Sequence, residues 1–187
     1  MRSPHSFLVV PLNDRRYDNS VKIGDVDFIT SSSKEDHKAS NRFAKVVNTP
    51  IGYSGDIVPG DILLVHHNVF KFYNDIKGVE RSGKSYLFDN IFLIDSDQYF
   101  MYKHNDQWFC DGMYSFVEPV KAAKSEIDRN IVNETLTGSM VYLSDYAKSQ
   151  GLSEGDHVIF SPDSEYEFRV DGRLLYRIYD IHLTVKK

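Results

Sequence analysis

The chain repeats itself, and this constrains its architecture more than any other feature it carries. Val58-Pro59-Gly60-Asp61-Ile62-Leu63-Leu64-Val65 lines up with Ser153-Glu154-Gly155-Asp156-His157-Val158-Ile159-Phe160, each a Gly-Asp turn feeding an apolar strand, at an offset of 156 − 61 = 95. Downstream, Asn90-Ile91-Phe92-Leu93 matches Asp180-Ile181-His182-Leu183 at an offset of 180 − 90 = 90. The first copy therefore carries five extra residues, 95 − 90, which fit a longer hairpin loop from Asn74 to Lys84. Upstream, Ser6-Phe7-Leu8-Val9-Val10-Pro11 parallels Ser115-Phe116-Val117-Glu118-Pro119 with one gap. Three landmarks in one order predict two units, 1–95 and 112–187, joined by a linking hairpin over 96–111 around His104-Asn105-Asp106. Each unit is small but of foldable size.

The units are expected to be β throughout. Seventeen Val and 13 Ile stand beside 25 aromatics (12 Phe, 12 Tyr, 1 Trp), whereas Ala, the best helix former, occurs 5 times. Strand signals come in short bursts between turn residues, among them Phe7 to Leu12, Phe43 to Val47, Tyr86 to Ile94 and Leu174 to Val185, a spacing typical of sandwiches and barrels. The single helical candidate is Ser144 to Gln150, with Ser144 as N-cap and Gly151 as stop. Charged residues at 26% and hydrophobic ones at 41% supply a packed core and exclude wholesale disorder.

Charge and composition also narrow function. With a net charge of −5 and no basic block larger than Arg15-Arg16, the chain lacks the clustered cations from which nucleic-acid binding draws its affinity. No apolar run approaches the roughly 20 residues that span a bilayer. Cys110 is the lone cysteine, so neither an internal disulfide nor a Cys-built zinc site is available. The expectation is a soluble cytoplasmic protein with neither a nucleic-acid nor a membrane partner.

Between the proline landmark and the Gly-Asp landmark both copies hold a long polar stretch, Asn13 to Asn41 and Lys121 to Thr137. Loops beyond about 12–15 residues in a compact unit are usually functional or disordered, so these are the first places to look for binding.

An opening β-strand, a long polar loop, a Thr/Ser-x-Gly-x-Val strand, a Gly-Asp-x-Val-x-Phe strand, a hairpin and a closing Asp-Ile-Leu strand resemble, in that order, the GroES-type co-chaperonins. The second copy is the closer: Leu136-Thr137-Gly138-Ser139-Met140-Val141-Tyr142, then Gly155-Asp156-His157-Val158-Ile159-Phe160, then Tyr179-Asp180-Ile181-His182-Leu183. The first copy is looser, with Ser40 to Val46, Pro59 to Leu64 and Asp89 to Leu93. The resemblance implies two tandem GroES-like, partly open β-barrels in a homo-oligomeric ring that caps an ATP-dependent chaperonin, with neither catalytic residue nor cofactor nor metal. In that family the first strand of one subunit pairs with the last of its neighbour, and a mobile loop with a short aliphatic segment docks on the chaperonin. The corresponding loops here are Gly24 to Ala39, with Val26, Phe28, Ile29 and Thr30, and Ser125 to Thr135, with Ile131 and Val132. A rival expectation is a structural protein of a multi-subunit assembly, such as a virus particle, built from the same barrels. A third is a barrel that binds a small ligand or an oligonucleotide.

Other strings have plainer readings. Gly78-Val79-Glu80-Arg81-Ser82-Gly83-Lys84-Ser85 matches the phosphate-binding P-loop pattern, but that chemistry needs a helix to follow, and Tyr86-Leu87-Phe88 signals a strand. Its place in the second copy is the Asp171-Gly172 turn, so an exposed hairpin is expected. His66 and His67 are expected on opposite faces of a strand, unable to share a metal. Asp25 with Asp27 and Asp95 with Asp97 read as solvated turns, and Cys110 as a packed hydrophobe. The aromatic strings Phe70 to Tyr73 and Tyr99 to Tyr102 read as core.

Overall fold

The structure, a computed structural model, describes residues 1–17, 20–23, 26–29, 40–121 and 133–187, with the backbone alone for 20–23, 26–29, 121 and 133–135. Two compact units divide the chain, Met1–Gln107 and Trp108–Lys187. The first holds β1 (Phe7–Pro11), β2 (Ser20–Ile23), β3 (Val26–Ile29), β4 (Phe43–Asn48), β5 (Ile62–Val65), β6 (Phe72–Asn74), β7 (Glu80–Ser82), β8 (Tyr86–Phe88), β9 (Ile91–Ile94) and β10 (Tyr99–His104). The strand β11 (Gln107–Cys110) leads into the second, which continues with β12 (Tyr114–Lys121), β13 (Asn133–Tyr142), the helix α1 (Asp145–Ser149), β14 (His157–Phe160), β15 (Tyr166–Val170), β16 (Arg173–Tyr179) and β17 (Leu183–Lys186). The protein is all-β apart from α1 and two single-turn 3₁₀ segments among the described residues. No helix among them is long and apolar enough to cross a membrane.

The internal repeat is a repeat of topology. One sheet runs β11-β10-β5-β4-β1-β9-β8, and the other, taken from its far edge, β17-β14-β13-β12-β16-β15. Strands β10, β5, β4, β1, β9 and β8 thus stand where β17, β14, β13, β12, β16 and β15 stand in the second unit. Neither sheet closes on itself, so each unit is a partly open barrel. The registers agree: Val9 faces Val46 and Phe92, and Val117 faces Met140 and Tyr176. A bulge follows Leu8 in β1 and Phe116 in β12.

The Gly-Asp turns are superposable in their hydrogen bonds. Val46 N–H donates to the Asp61 carbonyl and Gly60 N–H to the Val46 carbonyl, both at 2.8 Å. Met140 repeats this with Asp156 and Gly155, again at 2.8 Å. Each aspartate side chain closes its own turn, accepting from Val58 N–H at 2.9 Å or Ser153 N–H at 2.8 Å. Gly60 and Gly155 have φ of +103° and +85°, which is why the residue before each aspartate is glycine.

Local chemistry accounts for the other boundaries. Ser144 caps α1, its Oγ accepting from Ala147 N–H at 2.9 Å, and Gly151 at φ +81° follows the helix. The apolar run Tyr86 to Ile94 is two strands, because Asp89 and Asn90 at φ +45° and +61° form a type I′ turn between β8 and β9. Asp171 and Gly172, at +48° and +79°, form the matching turn between β15 and β16. The equivalent of Asp171-Gly172 is therefore Asp89-Asn90, not the P-loop-like string. That string lies in a hairpin, β6 with β7, which among the described residues only the first unit carries.

Three further expectations change. Tyr99 to His104, expected in the linking hairpin, is the strand β10 that pairs with β5 inside the first unit. The third landmark shifts: Ile91–Ile94 corresponds by register to Leu175–Ile178, whereas Asp180–His182 is a 3₁₀ turn and the closing strands are β10 and β17. Letters matched at Asn90 and Asp180 because both precede apolar residues; pairing partners, which the local string does not contain, set the true equivalence. Strand β1 also has neighbours on both sides, β4 and β9, so it has no open side for a neighbouring subunit.

Each unit has its own core, formed by alternate residues of its strands. In the first, Val9, Ala44, Leu63, Phe92 and Ile94 pack with Phe70 and Tyr99, and the Phe70 and Phe92 rings meet edge to face at 4.8 Å. In the second the cluster is Val117, Met140, Val158, Phe160 and Ile178. Each Val, Leu, Ile, Phe or Met among them contributes about 1.5–3 kcal/mol by leaving water.

Gly138 faces Pro119 as Ala44 faces Pro11. A Cβ on Gly138 would lie 2.7 Å from the Val117 Cβ and 3.2 Å from the Glu118 carbonyl oxygen. Gly138→Ala is expected to cost about 1–3 kcal/mol through overpacking, read as a lower urea midpoint; an unchanged midpoint would show that Val117 retreats freely.

Candidate functional site

The two long excursions occupy the same topological place, between β1 and β4 in the first unit and between β12 and β13 in the second. In the first, Val26, Phe28 and Ile29 lie together on β3, which pairs antiparallel with β2: Ser20 faces Ile29, Val21 faces Phe28 and Ile23 faces Val26. The segment expected as open loop thus contains a β-ribbon. Thr30 lies outside the described residues. In the second unit β12 and β13 pair as far as Lys121 and Asn133, across a register shift after Pro119, and Ile131 and Val132 lie outside the described residues.

The first excursion is stapled at its base. Tyr17 and Ser40 form a bridge, and Asn41 N–H donates to the Arg16 carbonyl at 3.0 Å. Asn41 Nδ2 donates to the carbonyls of Leu12 at 3.0 Å and Arg15 at 2.7 Å, while its Oδ1 accepts from Phe43 N–H at 2.9 Å. Asparagine suits this position because its amide offers two N–H donors and an acceptor at once. Beside it opens a cleft of about 590 Å³ lined by Leu12, Asn13, Arg15, Asn41 and Phe43.

Arg16 ties this base to the inserted hairpin. Its guanidinium donates from Nε to the Phe70 carbonyl at 2.9 Å, from Nη1 to Ser82 Oγ at 3.1 Å and from Nη2 to the Lys71 carbonyl at 3.4 Å. The Phe72 ring centroid lies 3.4 Å from its Cζ, a cation–π contact. Burial pulls the guanidinium pKa below its ordinary value. Tyr17 adds a hydroxyl that accepts from Phe72 N–H at 2.9 Å and a ring stacked on Phe72 at 5.9 Å. In sequence Arg16 counts only as a surface charge; the partners that make it an anchor lie 54 to 66 positions away, beyond any local pattern. The hairpin it holds presents Ile76, fully exposed, at its tip.

The remaining candidates resolve into structure. The P-loop-like string forms a turn at Gly78, β7 and a second turn, with no helix to cradle a phosphate. His66 and His67 follow β5 rather than lying in it, and their rings sit 4.2 Å apart instead of facing opposite ways. Among the described residues no group of three metal-ligating side chains gathers. Phe70, Tyr99, Phe100 and Met101 are buried core, whereas Tyr73 is exposed. Asp95 accepts from Ser6 Oγ at 2.7 Å on an exposed turn.

Ser144, Ser115 and Asp180 form a buried polar cluster in the second unit: Ser144 Oγ donates to Asp180 Oδ2 at 2.5 Å, and Ser144 N–H donates to Ser115 Oγ at 3.1 Å. Ser144 Oγ is committed to capping α1 and to Asp180, and among the described residues no histidine bonds to it as the base of a nucleophile would. Burial pushes the Asp180 carboxyl up, against the hydrogen bonds from Ser115 and Ser144. Burial, helped by Asp180, pushes the Cys110 thiol up, away from the thiolate that a nucleophile needs.

No family model matches the chain, and no curated protein matches it.

Two outcomes follow from this geometry. Arg16→Ala should destabilise the hairpin by about 1.5–3 kcal/mol, the range for hydrogen bonds to a charged group, seen as faster amide exchange at Phe72 and Gly83; wild-type exchange rates would show that the hairpin stands without it. For Asp180, the folded state holds the proton more tightly than the unfolded chain, so stability declines as pH rises from about 4 through the raised folded value. Asp156, held low by Lys186 and by Ser153 N–H, acts oppositely and loses its contribution as pH falls. Asp180→Asn should therefore gain on the wild type from pH 4 upward and then level off, leaving the acid limb in place; parallel urea-midpoint profiles would contradict this.

Proposed function

We propose that this protein is a non-enzymatic co-chaperonin-like factor of the cytoplasm, which caps a chaperonin cage as a homo-oligomeric ring and docks through its two excursions. The observation that carries the reading is the recurrence of a long polar excursion at one topological place in two units of identical strand order. A duplicated scaffold that keeps an excursion at the same place is consistent with binding through that excursion and with a sheet that positions it. The apolar residues Val26, Phe28 and Ile29, with Thr30, serve as one contact and Ile131 with Val132 as the other. Their docking on an apolar groove needs no reaction centre; the chaperonin hydrolyses the ATP. A segment that orders on docking binds loosely alone, and several linked segments gain avidity by effective concentration.

A second reading, a structural subunit of a larger assembly such as a virus particle, is favoured by one observation: the sheet edge β8 exposes Tyr86, Leu87 and Phe88 together.

Substituting Phe28 and Ile29 by aspartate, and separately Ile131 and Val132, should each weaken nucleotide-dependent complex formation with a chaperonin by tenfold or more, roughly 1.4 kcal/mol. Undiminished complex formation in both variants would end the capping proposal, and recovery of the protein as a stoichiometric component of purified particles would select the structural reading.

A further inference from the structure

Strand β8 ends its sheet, with β9 as its one neighbour among the described residues. Its three residues, Tyr86, Leu87 and Phe88, are 39%, 39% and 42% exposed, with no charge among them. An open edge leaves backbone N–H and C=O groups ready to pair, and proteins normally guard such edges with charge. The second unit supplies the comparison, because β15 holds the equivalent edge. There Phe168 and Val170 are buried, and exposed Glu167 and Arg169 alternate with them. The same architecture guards one edge with charge and leaves the other, where the register shifts between Tyr86 and Phe88, apolar, so the apolar edge is not a by-product of the fold.

The flanks of β8 indicate what pairs with it. Lys84 precedes the strand and Asp89 follows it, both exposed and neither in an ion pair among the described residues. A strand with a cation before it and an anion after it is complementary to itself when reversed. We propose that β8 is a homotypic interface, pairing antiparallel with β8 of a second copy of this chain about a two-fold axis at Leu87. Leu87 then faces Leu87 of the second copy, and Tyr86 faces its Phe88. Ser85 then stands opposite its Asp89 and Lys84 opposite its Asn90, so the cation of one copy and the anion of the other are neighbours along the pair at both ends. Directly opposed residues in such a ladder have Cβ atoms about 4.5–5.5 Å apart. A two-fold contact of this kind closes on itself and does not propagate.

The inference rests on the edge and not on the capping reading, and it is tested on the full chain alone, without a chaperonin. Native mass spectrometry and sedimentation over a range of concentrations should show an even number of copies, and Leu87→Lys should halve it. Lys84→Asp should raise the dissociation constant about tenfold at low salt, where exposed charges are least screened, and adding Asp89→Asn should recover most of that loss. A short bismaleimide should link Leu87→Cys into covalent dimers and leave wild type, whose Cys110 is the native thiol, and Arg169→Cys unlinked. An unchanged mass for Leu87→Lys together with absent cross-linking at position 87 would overturn the proposal, as would cross-linking at 169 in place of 87.

Discussion

The clamp at the Gly-Asp turn holds each unit together. In both, one aspartate fastens three strands: its carbonyl receives the N–H of the second strand, its carboxylate closes the turn, and a carboxylate oxygen takes a base from the closing strand. Asp61 meets His104 Nδ1 at 2.9 Å, and Asp156 meets Lys186 Nζ at 2.6 Å. Side-chain carboxylates that accept backbone N–H groups in this way compete well with water because two or three bonds form at once. The clamp thus sits where the second, third and closing strands meet, and it adds to the ladders that set their register. The excursions join the central strand, β1 or β12, to that second strand, so their positions depend on this turn as well.

Duplication makes the molecule its own control, since each position in one unit has a counterpart under the same topology. Where a residue type recurs, as with Gly60-Asp61 and Gly155-Asp156, the fold requires it. Where the counterparts diverge, the fold does not, and another cause is needed. Ala44 against Gly138 is a packing difference: Val117 leaves no room for a methyl group that the first unit accommodates. The hairpin of β6 and β7 is a larger one, an insertion that Arg16 and Tyr17 anchor to the base of the first excursion. The contrast between the edges β8 and β15 belongs to the same class.

The sequence carried the repeat, the β character, the Gly-Asp turns and the capped helix, because each is written in neighbouring residues: a glycine at positive φ, a serine before a helical turn, an alternation of period two. What it hid was pairing. Tyr99 to His104 reads as a hairpin arm and is a sheet strand, since only its register with β5 distinguishes the two. Asp89-Asn90 inside an apolar run is easily passed over, because either residue also occurs within strands and only the pair of left-handed conformations makes the turn. The close approach of the His66 and His67 rings escapes the pattern for a related reason: β5 stops one residue earlier than the apolar pattern suggests, and beyond it alternation no longer applies. At the candidate site the aliphatic residues were legible in the sequence, whereas their anchors were not, because Arg16 and Asn41 acquire their roles from partners far along the chain.

Anchoring bears directly on how such excursions would bind. Docking a segment costs the conformational entropy of every residue it orders, about 1–2 kcal/mol each for the backbone. A base already held by Asn41, Arg16 and Tyr17 confines that cost to the residues beyond it, and the ribbon of β2 with β3 confines it further. In the second unit, β12 and β13 pair again at Lys121–Asn133, beyond a register shift that follows Pro119, and so achieve the same by backbone pairing. The two units thus reach one end by different means, a side-chain staple in the first and backbone pairing in the second. If both excursions dock, as proposed, the second event would be intramolecular wherever the span allows, and each could remain weak enough to release while the pair holds.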